Sequence, residues 1–531
     1  MMAAGRRITR RGFLTTAAAG GFSAAAGACG IGAASLPAAF AAPARRGGTL
    51  RIAEVGEPLT LDTVATTAGL TSTIMLPVYE GLFAFDDRWR IQPLLVSSYT
   101  VSRDSLTYTF TLRGNVPFHN GATMGADDVV GSLNRWGKVS AYGPSVYRNV
   151  ESVSAAGTDT VVMKLKTPVA PLLAFLALSS GPAVIMPKEI ADAAGTQPLR
   201  QFVGTGPYRF VEWAPDRYVH LTRFDQYAPR TEPPSGYAGR KDALATDIYY
   251  YPVAQVEARI AGVQSGDYDI ADQINQDAYS ALKADPRVDV GLIRPGSFLA
   301  FFFNEKQGLM TNQKLRQAVA AALDMESILR ATYGNPDLYA LDPSLFPKGT
   351  PWYTTAGASL YDVNSVDRAR ELAQSAGYGG QPIRWLTTQQ YDWAFKSTVV
   401  AASQLQLAGF QVDMQVLDWA TVLDHRARPA DWDVFVTTFG FVPDPALALP
   451  FSSAYPGWWD TPTKDALFAQ FNAEPDPRKR VQLWTRLQAL MYEEAPIVRP
   501  GTAFSLMLSR KNLPGFTPRL GMVVWNVEAV R

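Results

Sequence analysis

The chain has 531 residues and carries 49 basic and 48 acidic side chains, which gives a formal net charge of +1. A balance this close to neutral gives no electrostatic footprint for nucleic acid or for an anionic surface. The single cysteine and the three histidines, at 119, 220 and 425, lack the spacing of a disulfide framework or a metal site. At about 150 residues per domain, the length predicts two to four lobes with ample core.

The first 41 residues have the pattern of an export signal. Four arginines precede a run rich in alanine and glycine, and Thr9–Leu14 (TRRGFL) matches a twin-arginine motif. Two processing routes stay open, cleavage after Ala41 or lipid attachment at Cys29. Cleavage is favoured because Ala26 stands where a lipid-attachment motif usually has a large aliphatic residue. Residues 1–41 are therefore predicted to be a twin-arginine signal peptide, which places the mature protein in the periplasm or outside the cell.

The first strand is predicted at Thr49–Ala53. Alternation is clearest between positions 107 and 112, where Tyr108, Phe110 and Leu112 point to one side of an extended chain and three threonines to the other. This is the pattern of a half-buried antiparallel strand. From Asp127 the spacing becomes helical, with one apolar face formed by Val129, Val130, Leu133 and Trp136.

The next segments alternate between strand and helix. Val161, Met163 and Leu165 share one face of a strand, and an apolar helix is predicted at about 172–178. The segment 204–208 (GTGPY) has glycines that permit a backbone path closed to other residues. It completes neither G-x-G-x-x-G nor G-x(4)-G-K, so it is not a phosphate loop. We expect a structural turn where the chain crosses between domains.

The second half of the chain has two β-α-β patterns, which imply parallel strands joined by right-handed crossovers. The first comprises a strand at 248–251, a helix at 254–264 ended by Gly266, and a strand at 268–270. The second comprises a strand at 383–386, a helix at about 394–408 ended by Gly409, and a strand at 410–416. Other predicted elements are a strand at 301–303, a helix capped near Asn312, a strand at 433–436, and a helix from Asp476 to Leu490.

These segments resemble the family 5 solute-binding proteins of ABC importers. The densest match lies between Pro93 and Trp136, where the family has a proline-led segment, "tytFtLR", "v-F-H-D/N-G" and "A-D-D/E-V-x-x-S-x-x-R". Similar matches recur in order over essentially all of the mature chain. The residues that match the densest segment are Pro93, Leu94, 107–112, Arg113, Phe118, His119, Asn120, Gly121, Ala126, Asp127, Asp128, Val129, Ser132 and Arg135; further matches lie at 56–62, 79–82, 204–208, 266–270, 303–324, 444–445 and 476–497.

The resemblance implies an α/β fold of the large periplasmic-binding-protein type (class II, cluster C), with two main lobes, an extra domain and closure about a hinge. By analogy, lobe I is discontinuous, lobe II is an insert that carries the densest match, and lobe III is continuous. It also implies capture of a solute outside the cytoplasmic membrane and its delivery to an ABC permease by a monomer without a cofactor. The expected boundaries are 45–90, 196–292 and 501–531 for lobe I, 91–195 for lobe II, and 293–500 for lobe III.

Motifs of a hydrolase are missing from the sequence. There is no G-x-S-x-G, no H-E-x-x-H, and no cysteine beyond the leader. Ser280 to Lys283 spells S-x-x-K, but its partner motifs are missing, and we interpret it as a solvated helix face. We therefore expect a binding protein without catalytic residues. A secreted hydrolase on a related fold, and a receptor or chaperone on the same fold, stay open as alternatives.

The candidate ligand-binding residues follow from the resemblance. In peptide-binding members an aspartate three residues before a D/E-P pair holds the α-ammonium of the ligand, and this chain has Phe441 at that position. Because an unpaired ammonium is costly to bury, the pocket should disfavour a free peptide N-terminus unless another acid, such as Asp444, replaces the missing one. Aromatic faces suited to sugar rings or other amphipathic solutes are offered by Trp419, Phe439, Tyr391 and Trp393, and less clearly by Trp458 and Trp459, with burial in the core as the alternative for each ring.

Several ligand classes and structural roles remain at this stage. A glycoside, an opine-like conjugate or a modified peptide ranks slightly above an ordinary di- or oligopeptide, because of Phe441. A nickel chelate ranks lower, since no histidine set is present. His119, Arg135 and Arg316 are expected to be structural residues rather than ligand contacts.

Overall fold

The computed structural model describes residues 45–518 and 521–529. The predicted export signal and Cys29 lie outside the described residues. The strands are β1 (Thr49–Glu54), β2 (Phe83–Phe85), β3 (Ile91–Pro93), β4 (Val96–Val101), β5 (Thr107–Leu112), β6 (Val150–Ala155), β7 (Thr160–Leu165), β8 (Tyr208–Ala214), β9 (Tyr218–Arg223), β10 (Asp247–Pro252), β11 (Ile270–Ile274), β12 (Val288–Phe303), β13 (Tyr339–Ala340), β14 (Ile383–Thr387), β15 (Val412–Val416), β16 (Val434–Phe439), β17 (Ile497–Val498) and β18 (Thr502–Arg510).

The helices are short to medium in length, and each helix within 45–518 and 521–529 is too short or too polar to span a bilayer. They are α1 (Gly69–Met75), α2 (Ala126–Val139), α3 (Gly143–Tyr147), α4 (Leu172–Leu176), α5 (Lys188–Ala194), α6 (Val256–Ser265), α7 (Tyr279–Lys283), α8 (Gln313–Ala322), α9 (Met325–Tyr333), α10 (Val366–Ser375), α11 (Asp392–Leu407), α12 (Trp419–His425), α13 (Pro462–Ala473) and α14 (Pro477–Glu494).

One large mixed sheet runs through the molecule in the order β15-β14-β16-β12-β18-β11-β1-β10-β9-β8. The long strand β12 pairs with β18 along its first part and with β16 along its second part, from Phe298 to Phe303. β12 and β18 therefore join a half built on β1, β10 and β11 to a half built on β14, β15 and β16. The expected lobe boundaries stay a prediction, but these two strands are where a hinge between the halves would lie.

The alternation of β12 explains how the second half builds two cores. Leu299, Phe301 and Phe303 contribute to one cluster of buried side chains. Phe298 and Phe302 contribute to a second cluster on the other face. Since successive side chains of a strand point to opposite faces, one apolar strand supplies both layers.

The predicted half-buried strand is confirmed as β5, in a four-stranded antiparallel sheet ordered β4-β5-β7-β6. Tyr108, Phe110 and Leu112 are buried, and the threonines between them are partly exposed. The helix predicted from Asp127 is α2, whose buried face includes Leu133 and Trp136. Because this sheet and β1 contribute to one continuous core, the four-stranded sheet is packed directly on the first half.

Both predicted β-α-β units are parallel, with one difference in strand order. β10 and β11 do not pair with each other, because β1 lies between them and pairs with both in parallel. The second strand begins at Ile270, so the predicted start at 268 was wrong. Tyr268 turns back onto α6, where a Cβ at Gly262 would lie 2.3 Å from its ring. In the second unit β14 pairs in parallel with both β15 and β16.

The predicted helix caps and the glycine stop are confirmed, whereas other element ends shift. The helix predicted to end at Leu490 runs to Glu494, and the one predicted at 172–178 ends at Leu176. Asn312 caps α8 by accepting hydrogen bonds from two backbone amides, and Asp476 caps α14 in the same way. Gly266 ends α6 in the left-handed conformation, with φ of 84°. The strand predicted at 433–436 runs to Phe439, which brings its end to the cleft described below.

Buried ion pairs confirm the structural roles expected for two arginines. Arg135 Nη2 lies 2.6 Å from Asp62 Oδ2, and Arg316 Nη2 lies 2.9 Å from Glu305 Oε2. The S-x-x-K segment forms α7, where the exposed Lys283 pairs with Asp337 at 2.6 Å. It is a solvated helix face, as expected.

The GTGPY segment is a close backbone crossing that is held by His119. A Cβ at Gly204 would lie 2.2 Å from the Val78 carbonyl oxygen, and one at Gly206 would lie 2.3 Å from that of Pro77. His119 Nδ1 accepts a hydrogen bond from the Gly204 amide at 3.2 Å, and its Nε2 donates to the Gly206 carbonyl at 3.0 Å. The glycines are needed for the approach, and the imidazole ties this turn to the densest sequence match.

His119 should make the stability of the protein depend on pH. Burial lowers the pKa of this imidazole from 6.5 to about 4. Between these two values the unfolded chain binds the proton more strongly than the folded one, so the free energy of unfolding should fall as pH drops from about 6.5 to about 4. Urea unfolding at pH 7 and pH 5 measures this loss. His119→Gln, which retains a donor and an acceptor, should lose less between the two pH values; equal losses would contradict the assignment.

Candidate functional site

A cleft of about 570 Å³ lies between the two halves of the molecule. One wall comes from residues before 240, and the other comes from the β12 strand and the loop that follows β16. A backbone hydrogen bond from the Ala170 amide to the Asn472 carbonyl, at 3.1 Å, also joins the two sides. The lining residues are Thr67, Phe85, Trp89, Tyr142, Leu178, Ser179, Ser180, Tyr237, Pro295, Phe298, Phe439, Gly440, Phe441, Val442, Pro443, Leu447, Ala448, Leu449 and Pro450.

The structure places two of the predicted ligand residues in this cleft. Phe439 ends β16 and stacks on Phe298 of β12, with ring centroids 5.3 Å apart. Phe441 follows two residues later, with Phe346 behind it at 6.1 Å. Both rings are partly exposed to the cavity. Phe439 and Phe441 thus belong to the wall formed by the second half of the molecule.

Trp89 is the main contact of Phe441 on the opposite wall. The two ring centroids are 4.5 Å apart, with the rings tilted by 55°. Trp89 also contacts Phe85 at 5.9 Å and Tyr237 at 6.4 Å. This aromatic pair connects the first half of the molecule to the second across the cleft.

The backbone of Trp89 is held in a conformation that a large side chain rarely adopts. Its φ is 57°, in the left-handed region, at the turn between β2 and β3. The turn is fixed by Asp86, whose Oδ1 accepts hydrogen bonds from the Arg88 and Arg90 amides at 2.9 and 2.8 Å. Sequence reasoning missed Trp89; the available signal was a tryptophan inside a tight charged turn, where glycine or asparagine is usual.

The lining of the cleft is aromatic and uncharged. Among the described residues that line it, polar groups come only from the backbone and from hydroxyls such as those of Thr67, Ser179, Ser180 and Tyr142. Ser180 Oγ donates a hydrogen bond to the Thr67 carbonyl at 3.0 Å. A site of this kind can stack rings and exchange hydrogen bonds with hydroxyls, but it offers no counter-charge to an ammonium or a carboxylate.

Asp444 lies just behind the cleft wall, and its carboxylate is already engaged. Its two oxygens lie 2.7 and 2.9 Å from the guanidinium of Arg480, and both residues are buried. Asp444 Oδ1 also accepts a hydrogen bond from the Ala446 amide at 2.9 Å, which caps the short helical turn 445–447. The structure therefore presents Asp444 as a support for the loop that carries Phe441.

The other predicted aromatic residues form a group apart from the residues that line the cavity. Tyr391 stacks on Trp393 at 5.5 Å, and Trp419 packs edge-on against both at 5.3 and 5.9 Å. The group is held in part by a hydrogen bond from the Trp419 amide to Gln390 Oε1 at 2.7 Å. A ligand role for these three residues stays a prediction.

Trp458 and Trp459 pack against other side chains, which is the alternative to a ligand-binding role. Trp459 is 2% exposed, packs on Phe451, and belongs to a buried cluster. Trp458 lies against Trp432 at 5.7 Å, with the ammonium of Lys306 over its ring at 5.2 Å. Neither ring lines the cleft.

Metal chemistry finds no support in the described part of the chain. No group of three or more His, Cys, Asp or Glu side chains there could hold a metal ion. Each histidine has a local partner instead: His220 Nε2 lies 2.8 Å from Asp247, and His425 Nδ1 lies 3.5 Å from Asp431.

Comparisons with known sequences show which family the chain resembles. The sequence model described as bacterial extracellular solute-binding proteins, family 5 Middle, matches residues 90–460. The chain is 29% identical over 495 residues to Probable peptide ABC transporter periplasmic-binding protein y4tO of Sinorhizobium fredii, covering 88% of this chain and 91% of the relative. It is 26% identical to glutathione-binding protein GsiB of Pectobacterium atrosepticum, covering 87% and 90% of the two chains.

Solved structures share the same fold. The periplasmic binding protein AgaA from A. tumefacien R10, in complex with agropinic acid, superposes with a TM-score of 0.70 at 25% identity, covering 91% of this chain and 99% of AgaA. The substrate-binding protein CtaP of Listeria monocytogenes superposes with a TM-score of 0.80 at 20% identity, covering 92% and 100%. The chain therefore has the two-lobed fold of the periplasmic binding proteins, and it belongs to family 5 of the bacterial extracellular solute-binding proteins.

Proposed function

We propose that this solute-binding protein captures an uncharged, ring-bearing amphipathic solute and delivers it to the permease of an ABC importer. The single observation that carries the proposal is the lining of the cleft, which combines aromatic rings on both walls with hydroxyl groups and no charged side chain among the described residues. Glycosides and neutral sugar conjugates have the matching combination of a flat apolar face and several hydroxyls.

The free energy of desolvation disfavours a charged terminus in this cleft. Burying an unpaired ammonium or carboxylate costs several kcal/mol. Phe441 stands where peptide-binding members have an acid, and Asp444 is held by Arg480. A free peptide N-terminus would therefore enter without a partner.

An ordinary peptide is the second candidate, because the relative y4tO is named as a peptide transporter component. It would require its termini to lie outside the uncharged part of the cleft. Next to the aromatic group of Tyr391, Trp393 and Trp419, the exposed Asp392 at the start of α11 offers a carboxylate for such an arrangement, although this carboxylate pairs with Lys396 at 2.9 Å and would have to exchange that partner. The ammonium would then be bound near the surface.

Capture by closure of the two lobes would follow from the same geometry. The lobes are joined through β12 and β18, and the Trp89 and Phe441 rings meet across the cleft. A solute that contacts both rings gains those contacts only in the closed state, so it shifts the population toward closure. This mechanism requires no chemical step, and we propose a transport role without catalysis.

The location and the assembly state are part of the proposal. Membership of this family implies a location outside the cytoplasm. We place the protein there after twin-arginine export, in a soluble form cleaved after Ala41 rather than one anchored through Cys29, and as a monomer that docks on its permease.

Native mass spectrometry of protein purified from its own host tests the proposed solute class. The mass before denaturation should exceed the mass after denaturation by that of an uncharged sugar conjugate or a similar amphipathic molecule. Release of a peptide with a free amine would overturn the proposed class and favour the second candidate. Loss of the mass difference on incubation with esters or glycosides, with products formed, would instead favour a hydrolase.

A further inference from the structure

A second, smaller cavity adjoins the cleft inside the first lobe. It has a volume of about 40 Å³ and shares three lining residues with the cleft, Leu178, Ser179 and Tyr237. The side chains of Ser179 and Tyr237 hydrogen-bond to each other. We call this cavity the inner chamber. The three shared residues lie against both cavities.

The inner chamber contains a buried ion pair that is already balanced. Lys241 Nζ lies 3.1 Å from Glu80 Oε1, and both residues are 2% exposed. The Glu80 carboxylate also accepts hydrogen bonds from Thr205 at 3.2 Å and Tyr227 at 3.0 Å. A further charged group would upset this balance in a medium of low dielectric, so the chamber suits an uncharged group.

Two of the residues that line the inner chamber, Tyr79 and Ser72, each have a buried hydroxyl that lacks a hydrogen-bond partner among the described residues. Tyr79 is 2% exposed. Buried polar atoms are nearly always hydrogen-bonded, because an unmade bond leaves the cost of desolvation uncompensated. The Lys241 ammonium adds donors, since its contacts within the described chain are Glu80 and the face of the Trp525 ring at 4.7 Å. The chamber therefore calls for a small group that both donates and accepts.

We propose that the inner chamber is a subsite for a neutral hydroxymethyl group of the solute bound in the cleft. A hydroxymethyl group has two heavy atoms, and the volume admits roughly three groups the size of water. It reaches the chamber past Ser179 and Tyr237, while the ring of the solute stays between the aromatic walls. This inference rests on the proposed function, because it assumes that an uncharged ring-bearing solute occupies the cleft. The competing occupant is water alone.

A matched pair of probes tests whether the chamber binds a hydroxymethyl group or holds water alone. Phenyl β-D-glucoside and phenyl β-D-xyloside are uncharged and differ by one hydroxymethyl group. With protein stripped of solute by unfolding and refolding, calorimetry should give about tenfold tighter binding of the glucoside, since a site that hydrogen-bonds a hydroxyl rejects the analogue that lacks it. Small-angle scattering with each probe reports closure independently of this preference.

Variants link the preference to the inner chamber. Tyr79→Phe should bring the ratio of the two dissociation constants close to one, and Ser72→Ala should reduce it. Tyr250→Phe is the matched control, because Tyr250 also has a buried, unpartnered hydroxyl but does not line the chamber, and it should leave the ratio unchanged.

Each other outcome counts against a specific claim. Closure with equal affinity for both probes, or a glucoside complex whose chamber holds only water, would overturn the subsite and leave the proposed function standing. A preference that survives Tyr79→Phe would also overturn the subsite. Failure of both probes to bind would overturn the proposed solute class together with the subsite.

Discussion

Replacing Phe441 with aspartate is expected to exchange the solute preference of the protein. The ring of Phe441 faces Trp89 across the cleft at 4.5 Å, and among the described residues the lining carries no charge. Phe441→Asp removes the ring contact and adds a carboxylate where a peptide N-terminus could be bound. We expect affinity for phenyl β-D-glucoside to fall about 10- to 100-fold, equivalent to about 1.4–2.8 kcal/mol, and binding of trialanine to appear. Calorimetry with both probes measures the exchange.

Two neutral variants control for the loss of the ring. Phe441→Ala and Phe441→Asn remove the aromatic contact without adding a charge, so they should weaken glucoside binding and still fail to bind trialanine. The gain of peptide binding should also be weaker at pH 3 than at pH 7, because protonation removes the carboxylate that the ammonium needs. Trialanine binding by the wild-type protein would show that another acid serves the ammonium and that Phe441 does not set the solute class.

Local sequence patterns predicted most of the individual strands and helices. The alternation at Tyr108 and Phe110, the helix cap at Asn312 and the left-handed stop at Gly266 are each determined by a few neighbouring residues, and each was predicted correctly. The insertion of β1 between β10 and β11 was not predicted, because parallel neighbours are chosen by long-range packing. The ends of strands moved for a similar reason, since Tyr268 packs on Gly262 instead of extending the strand.

The resemblance supplied both Phe441 and Trp419 as candidates, but it did not determine which of the two lies at the cleft. Phe439 ends a strand at the cleft and Phe441 follows it, and both line the cavity; their role in binding stays a prediction. Tyr391, Trp393 and Trp419 have the same composition signal but pack on one another. An aromatic side chain looks alike in sequence whether it lines a cavity or a core. The contact of Trp89 and the inner chamber could not be predicted from the sequence, because the residues involved come from distant parts of the chain. Trp89 contacts Phe441, and Tyr79 lines the chamber together with Lys241.

Removing the carboxylate of Asp444 is expected to cause a large loss of stability. Both of its oxygens bind Arg480, which is 6% exposed and lies over the ring of Phe471 at 4.2 Å. In Asp444→Ala the guanidinium stays buried without its counter-charge, which costs about 3–5 kcal/mol in the free energy of unfolding. Arg480→Met should cost a similar amount, and the double variant should cost less than the sum of the two, because neither charge is then left alone. Urea unfolding of the four proteins gives the coupling energy.

A surface ion pair serves as the control for the loss of stability in Asp444→Ala, and a binding measurement tests whether Asp444 also contacts the solute. Asp392 and Lys396 also lie 2.9 Å apart, but their side chains are 75% and 42% exposed, so Asp392→Ala should change stability by no more than about 0.5 kcal/mol. The double variant at 444 and 480, which restores charge balance behind the Phe441 loop, should bind phenyl β-D-glucoside within about threefold of wild type, a difference of roughly 0.65 kcal/mol. If Asp444 instead contacted the solute directly, binding would be lost in the double variant even though the folded state had been recovered. The Asp444 carboxylate would then contribute both to stability, through Arg480, and to affinity, through the solute.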